Sequence, residues 1–240
     1  MRILVCPQEF KGSLRAEEAA RAIADGLRAA LPDADLELLP LADGGPGTAS
    51  IVAAAAGGRL VARTVRGPLG APVEARSALL PDGRAIVEAA AAAGLLLVPP
   101  AERDPARAST FGVGELIAAA LDAGATEVVV GVGGTGTNDG GAGALQALGA
   151  RLLDAAGAEV GPGPLVLAAL ARIDGAPART RLVGARLRVA VDVRNPLLGP
   201  EGATVVYGPQ KGVTPDLAPG IEAALAHWAA LLARDLGVDV

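Results

Sequence analysis

Glu127-Val128-Val129-Val130-Gly131-Val132-Gly133-Gly134-Thr135-Gly136-Thr137-Asn138-Asp139-Gly140-Gly141-Ala142-Gly143 decides the reading of the fold. The β-branched opening predicts a strand over Glu127–Val132. A short helix is expected over Ala142–Leu148. Seven of the 13 residues from Gly131 to Gly143 are glycine, far more than a turn needs. A strand, a glycine-dense loop and a helix in that order belong to an α/β protein, whose ligands bind beyond the carboxyl ends of the strands.

The flanking sequence keeps this alternation. Arg2–Cys6 reads as a buried strand, Arg15–Leu31 as a helix with Glu17 and Glu18 in its first turn, and Leu36–Leu39 as a second strand. Ala42-Asp43-Gly44-Gly45-Pro46-Gly47-Thr48 then leads into a helix ending at Ala56. This βαβα order argues for a parallel sheet. Leu60–Val65, Val73–Leu79 and Arg84–Val87 read as short strands joined by the turn signals Gly67-Pro68-Leu69-Gly70 and Pro81-Asp82-Gly83. A boundary or insertion is expected near residues 62–72. Ala89–Ala93 and Val113–Asp122 read as helices, Ala150–Leu153 and Leu187–Val191 as strands, and Asp216–Leu236 as a long closing helix.

Composition narrows the function. The 240 residues carry 21 basic and 26 acidic side chains, for a net charge of −5. That balance excludes the basic face of a nucleic-acid binder. Hydrophobic residues make up 51%, enough for a sizeable core. A single cysteine, Cys6, excludes an intrachain disulfide. A single histidine, His227, excludes multi-histidine zinc sites and sits beside Trp228 in a helical stretch that suggests a structural role. The run Ile3 to Cys6 is too short for a signal-peptide core, and no stretch reaches the ~18 apolar residues of a membrane span. A soluble cytoplasmic protein is therefore expected. The only lysines are Lys11 and Lys211, and the only asparagines are Asn138 and Asn195. All four fall in Gly- or Pro-bearing segments.

Four segments carry chemistry. In Pro7-Gln8-Glu9-Phe10-Lys11-Gly12-Ser13, Lys11 and Ser13 follow the first strand and suit an anion such as phosphate or carboxylate. In the segment 42–48, Asp43 stands ready for a metal or a hydroxyl. The loop 131–143 gathers backbone donors, Thr135, Thr137, Asn138 and Asp139, as a phosphate site requires. Asp192-Val193-Arg194-Asn195-Pro196 ends a strand, and Tyr207-Gly208-Pro209-Gln210-Lys211-Gly212 repeats the Lys-Gly pair. Together these could assemble a site for an anionic substrate and a metal-bound phosphate. Gly131, Gly133 and Gly136 also match the G-x-G-x-x-G of dinucleotide-binding folds, with Asp154 lying 18 residues beyond Gly136. That leaves an NAD(P)-dependent dehydrogenase as the alternative. No G-x-x-x-x-G-K-[ST] occurs, which excludes a Walker-type kinase.

P-Q-E-F-K-G-S-L, A-D-G-G-P-G-T, R-D-P-A-R-A-S-T-F-G-V-G-E-L-I, G-V-G-G-T-G-T-N-D-G-G-A-G-A-L-Q-A-L-G, D-V-R-N-P-L-L-G-P-E-G-A and Y-G-P-Q-K-G occur in that order. Taken together they resemble the bacterial glycerate kinase family, of the glycerate 2-kinase type. The resemblance implies transfer of the ATP γ-phosphoryl group to a hydroxyl of glycerate with Mg²⁺, in a cleft between two α/β domains. The implied organisation is the first part of a Rossmann/flavodoxin-like parallel-sheet domain over residues 1–65, and a second α/β domain with a mixed sheet over residues 66–240. Family chains usually continue further. The first domain is thus expected to be completed by a C-terminal part beyond Val240, and a parallel sheet to keep an exposed edge there. A non-catalytic remnant of the family and a homo-oligomer stay open on this reading.

The family commonly has Asp at the position of Gln8, often Glu at that of Pro46, and Ser-Ala where Thr135-Gly136 stand. The change at Gln8 would pass metal or hydroxyl handling to Glu9, Asp43 or Asp139. On this resemblance Asp139 is the expected base or Mg²⁺ ligand, with Asp43 as a second metal ligand and Asp192 as a further partner. Lys11 and Arg194 would hold the glycerate carboxylate, with Ser13, Asp43 and Asn138 completing the substrate contacts. Gly133, Gly134, Thr135, Gly136 and Thr137, with Lys211, would cradle the ATP phosphates.

Overall fold

The computed structural model describes residues 1–10 and 13–240. Lys11 and Gly12 lie outside the described residues. The chain is a mixed α/β protein with both parallel and mixed sheets. It opens with β1 (Arg2–Val5), α1 (Ala16–Ala30) and β2 (Asp35–Leu38). β1 and β2 pair in parallel, Val5 opposite Leu38. α1 buries Ala16, Ala19, Ala20 and Ala24, a helical stripe of small side chains. Its start is held by the Glu18 carboxylate, which accepts the Arg15 N–H at 3.1 Å.

The main sheet has the order β3-β4-β5-β6-β9. β3 (Arg59–Arg66), β4 (Pro72–Leu79) and β5 (Arg84–Glu88) form an antiparallel meander. β6 (Glu127–Gly131) and β9 (Arg186–Ala190) add in parallel to β5. β3 pairs with β4 over its whole length, so a division between residues 65 and 66 falls inside this hairpin. The apolar run Val128-Val129-Val130 is continuous because both faces of β6 are covered. Val128 and Val130, with Ala85 and Val87 of β5, join Val113, Leu116 and Ile117 of α4 (Phe111–Asp122) in the larger core. On the other face Val129 and Ile86 meet Ala49 and Ala53 of α2 (Thr48–Ala56).

A further core lies beside the sheet. α5 (Ala142–Ala147) leads to β7 (Arg151–Asp154), which pairs antiparallel with β8 (Leu170–Asp174). The sequence reading did not identify β8, whose alternation is weakened by Ala171 and Arg172. Leu152, Leu170 and Ile173 pack against Ile221, Leu225 and Trp228 of α8 (Ala218–Leu231). α8 starts two residues later than the sequence pattern suggested and gives way to a π-helical turn at Leu232–Leu236. His227 has the expected structural role: its Nε2 lies 2.7 Å from the Leu170 carbonyl.

Short helices complete the connections: α3 (Ala89–Ala93), α6 (Ala176–Arg181) and α7 (Ala203–Tyr207). β9 is an edge strand, with Leu187, Val189 and the following Val191 exposed. Among the described residues, no helix is long and apolar enough to cross a membrane.

Trp228 is 1% exposed and its Nε1 donates to the Gly140 carbonyl at 3.1 Å. It therefore ties the α8 core to the glycine-rich loop. Trp228→Ala is expected to lower stability by about 3–5 kcal/mol through cavity formation, measured by equilibrium urea unfolding. A loss under about 1 kcal/mol would mean that the site collapses around the deletion.

Candidate active site

β5, β6 and β9 run parallel, and their last residues are in register: Glu88 opposite Gly131, and Gly131 opposite Ala190. All three carboxyl ends therefore meet at one edge of the sheet, the edge at which open α/β sheets bind ligands. The segments 131–141 and 191–202 leave the sheet there. The segment 42–48, arriving from β2, lies across the same edge. A Cβ on Gly131 would collide with the Gly44 carbonyl, and one on Gly133 would stand 3.0 Å from the Gly45 Cα. Gly44 itself has a φ of +94° and faces the Ala190 carbonyl. Backbone meets backbone here, which only glycine permits.

A carboxylate fixes this crossing. Glu88, 9% exposed at the end of β5, accepts the Ala49 N–H at 2.6 Å and the Gly47 N–H at 3.2 Å. It thereby caps α2 from across the sheet. Burial pushes its carboxyl above the usual carboxylate range, the negative charges of Glu9 and Glu17 push the same way, and the two N–H donors oppose this. The sequence reading ended the strand at Val87 and passed over Glu88. A carboxylate closing an otherwise apolar strand was the available signal.

The glycine-rich loop has two halves with different duties. Its first half is bonded to the segment after α3: the Leu95 N–H donates to the Gly134 carbonyl at 2.9 Å, and the Gly136 N–H to the Ala93 carbonyl at 2.8 Å. Among the described residues, the N–H groups of Gly133, Gly134 and Thr135 meet no protein acceptor, and Gly134 is exposed. These remain as donors for a ligand. Within the expected donor set, the N–H of Gly136 is already occupied.

The second half is buried structure. The Asn138 amide donates to Thr204 Oγ1 of α7 at 3.1 Å, and both residues are buried. Thr137 is buried too, and its carbonyl accepts Lys211 Nζ at 2.6 Å. Asp139 is 1% exposed. Its Oδ2 accepts from the Thr110 N–H at 2.8 Å, the Thr110 hydroxyl at 2.9 Å and the Gly143 N–H at 3.2 Å, while Oδ1 accepts the Gly141 N–H at 3.3 Å. The Thr110 hydroxyl in turn accepts the Ala144 N–H at 3.0 Å. Asp139 thus joins the starts of α4 and α5. The carboxylate expected as base or Mg²⁺ ligand faces inward in this structure, with four donors on it. Asn138, expected as a substrate contact, is turned into the same interior.

The remaining expected residues lie on the rim. Asp43 is exposed, and its Oδ1 accepts the Gly45 N–H at 3.0 Å. Asp192 and Arg194 are exposed on the segment leaving β9. Asp43 and Asp192 flank the contact between Gly44 and Ala190. Ser13 bonds its hydroxyl to the Phe10 carbonyl at 2.9 Å. The expected contribution of Lys11 lies outside the described residues. Lys211 is half-buried. Burial lowers its ammonium to about 8, against the opposing pull of Asp139.

Among the described residues, no three His, Cys, Asp or Glu side chains converge on a metal position. Mg²⁺ does not need such a cage, since one or two carboxylates together with substrate phosphates usually suffice. Asp43 and Asp192 suit that donor set, whereas Asp139 does not. The dinucleotide alternative loses its geometry as well. Gly131 and Gly133 are packed against Gly44 and Gly45, where the fingerprint needs open approach to a pyrophosphate.

The profile of the glycerate kinase family matches residues 3–240. The chain belongs to the glycerate kinase family. It is 50% identical over 238 residues to a glycerate kinase of Bacillus subtilis (strain 168), covering 99% of this chain and 62% of that relative. It is 45% identical to a glycerate 2-kinase of Escherichia coli (strain K12), covering 100% and 63%. A crystal structure from Salmonella typhimurium LT2, provisionally named glycerate kinase 2, superimposes with a TM-score of 0.87 at 50% identity, covering 100% of this chain and 64% of that one. The chain therefore spans a little under two thirds of the length of these relatives.

Two measurements check this geometry. Asp139→Asn turns an amide toward four donors, and a stability loss of about 2–3 kcal/mol is expected, read by chemical denaturation. An unchanged midpoint would return the carboxylate to ligand chemistry. The second concerns Lys211. Its folded value lies below the unfolded one, so between about 8 and 10.5 the unfolded chain binds the extra proton. The Lys211 contribution to stability therefore rises with pH across that window and is lost below it. The stability of the wild type relative to Lys211→Met is expected to climb across the window. A flat difference would place Lys211 in solvent.

Proposed function

We propose that this chain is a glycerate kinase, transferring the ATP γ-phosphoryl group to a hydroxyl of D-glycerate with Mg²⁺ to give phosphoglycerate. Membership of the family over almost the whole chain carries this reading, and the glycine-lined sheet edge supports it. On the same reading β1, α1 and β2 open a Rossmann/flavodoxin-like domain, residues 66–240 together with the rest of β3 form the body of a second domain, and the protein works in the cytoplasm.

Phosphoryl transfer depends on positioning and charge neutralisation more than on proton chemistry, so a chain with one histidine is adequately equipped. The free N–H groups of Gly133, Gly134 and Thr135 orient phosphate oxygens. Lys211 adds a cation behind them. Arg194, with Lys11, holds the glycerate carboxylate. Asp43 is the candidate to receive the hydroxyl proton as the new O–P bond forms and the bond to the leaving ADP breaks. Bound Mg²⁺ would neutralise phosphate charge, with Asp43 and Asp192 as its protein ligands.

The test is ADP release from this 240-residue chain with D-glycerate, ATP and Mg²⁺, coupled to NADH oxidation. Glycerate-dependent release is expected, and its absence from folded chain would overturn the proposal. Asp43→Asn is expected to lower kcat about 10²-fold or more while leaving thermal stability close to wild type, since the side chain is exposed. An Asp43→Asn variant with wild-type kcat would remove Asp43 from the chemistry.

A further inference from the structure

The residues that leave β9 carry Asp192 and Arg194, and one side chain tethers them. Among the described residues, the hydrogen bonds made by residues 191–195 all come from Asn195. Its amide nitrogen donates to the Glu201 carbonyl at 2.8 Å, and its amide oxygen accepts the Tyr207 hydroxyl at 2.6 Å. Arg194 is exposed. Among the described residues it forms no ion pair, even with Asp192 two positions away. Tyr207, the one tyrosine of the chain, is half-buried at the end of α7.

α7 is itself fixed to the glycine-rich loop from both ends. Thr204 Oγ1 accepts the buried Asn138 amide, and the turn after α7 sends Lys211 to the Thr137 carbonyl. The connection from Pro196 to α7 is closed as well: the Ala203 N–H donates to the Pro196 carbonyl at 3.0 Å, and the Gly199 N–H to Glu222 of α8 at 3.1 Å. The span without support of its own is therefore 191–194, anchored by β9 at one end and by Asn195 at the other. An exposed hydrogen bond of this kind adds little to global stability. Its larger consequence is conformational, because breaking it frees the backbone dihedrals of a connection that carries a long cationic side chain. Phenylalanine would fill the half-buried place of the Tyr207 ring equally well, so packing does not account for the hydroxyl.

We propose that Tyr207 and Asn195 are positioning residues, whose hydrogen bond holds Arg194 in place for the carboxylate of the acceptor substrate. The inference rests on the role given to Arg194 in the kinase reading. The glycine-rich loop, α7 and the Arg194 segment then form one frame, with the phosphate donors and the carboxylate-binding cation at a set separation. Preorganisation of this kind lowers the ordering cost of binding and adds no contact to the ligand.

Tyr207→Phe removes the hydroxyl alone and is expected to unfold at a midpoint close to that of the wild type. Its KM for D-glycerate is expected to rise about three- to tenfold, the weight of one hydrogen bond, while its KM for ATP stays within about twofold because Thr204 and Lys211 still hold the loop. Calorimetric titration with D-glycerate, with and without ADP present, should show the same weakening and needs no turnover. Asn195→Ala should match or exceed Tyr207→Phe, and the double variant should be no weaker than Asn195→Ala, because both residues act through one contact. Glycerate affinity equal to wild type in both variants would overturn the inference. An equal rise in both KM values, or additive losses in the double variant, would do the same. Failure of the kinase reading looks different. Glycerate binding weakened in the variants, without ADP release from the wild type, would remove the kinase and leave the clamp. ADP release from all three chains with one KM for glycerate would remove the clamp and leave the kinase. A wild type that binds no D-glycerate would remove both.

Discussion

The contact on which the rest depends is the one between two backbones, Gly44–Gly45 against Gly131 and Gly133. The first pair follows β2 and the second lies at the end of β6 and just beyond it, so this contact brings the segment after the small parallel pair onto the carboxyl edge of the main sheet. A methyl group at Gly131 would strike the Gly44 carbonyl. Separation by one side-chain layer would move Asp43 away from the loop. Glycine is required here for proximity, and the dense glycine of both segments follows from that demand as much as from ligand binding.

Buried charge then holds the crossing in place. Glu88 reaches from the sheet to the start of α2, and Asp139 binds the starts of α4 and α5 through Thr110. Both carboxylates take up backbone N–H groups that a helix cannot satisfy itself. Loss of either would leave several buried donors unpaired, a cost that apolar packing at the same position would not offset. The same constraint explains the half-free glycine loop. Its second half is fixed by Asn138, Asp139 and Lys211, and a fixed second half holds the N–H groups of Gly133 to Thr135 in one orientation. Preorganised donors need no rearrangement when charge develops on a bound phosphate.

Much of the fold was legible because strong periodic patterns drive it. The β-branched run of β6, the turn signals around β3 to β5 and the alanine stripe of α1 all fell within one or two residues of their elements. β8 escaped because Ala171 and Arg172 interrupt its apolar pattern, and tertiary packing on Leu225 and Trp228 makes the strand. The site was legible as a set of segments and much less as a set of side-chain roles. Sequence places Asp139 in a glycine loop, where a carboxylate suggests metal or proton chemistry. Its direction is set by Thr110, 29 residues earlier, and no local pattern reports that. Glu88 stayed hidden for the same reason: its partner, Ala49, is remote in sequence.

The division among the carboxylates follows from exposure. A group that accepts a proton or binds a hydrated Mg²⁺ must present free lone pairs to the ligand. Glu88 and Asp139 have theirs directed at backbone donors, while Asp43 has one oxygen engaged by the Gly45 N–H and stands exposed. That single bond is informative. It fixes the Asp43 carboxylate relative to Gly45, and Gly45 is itself fixed against Gly133. Asp43 is therefore oriented by the same contact that positions the unpartnered N–H groups of the loop, so on the proposed reading a substrate hydroxyl and a phosphate would be addressed from one unit. Positioning of this kind is the larger part of what catalysis of phosphoryl transfer requires.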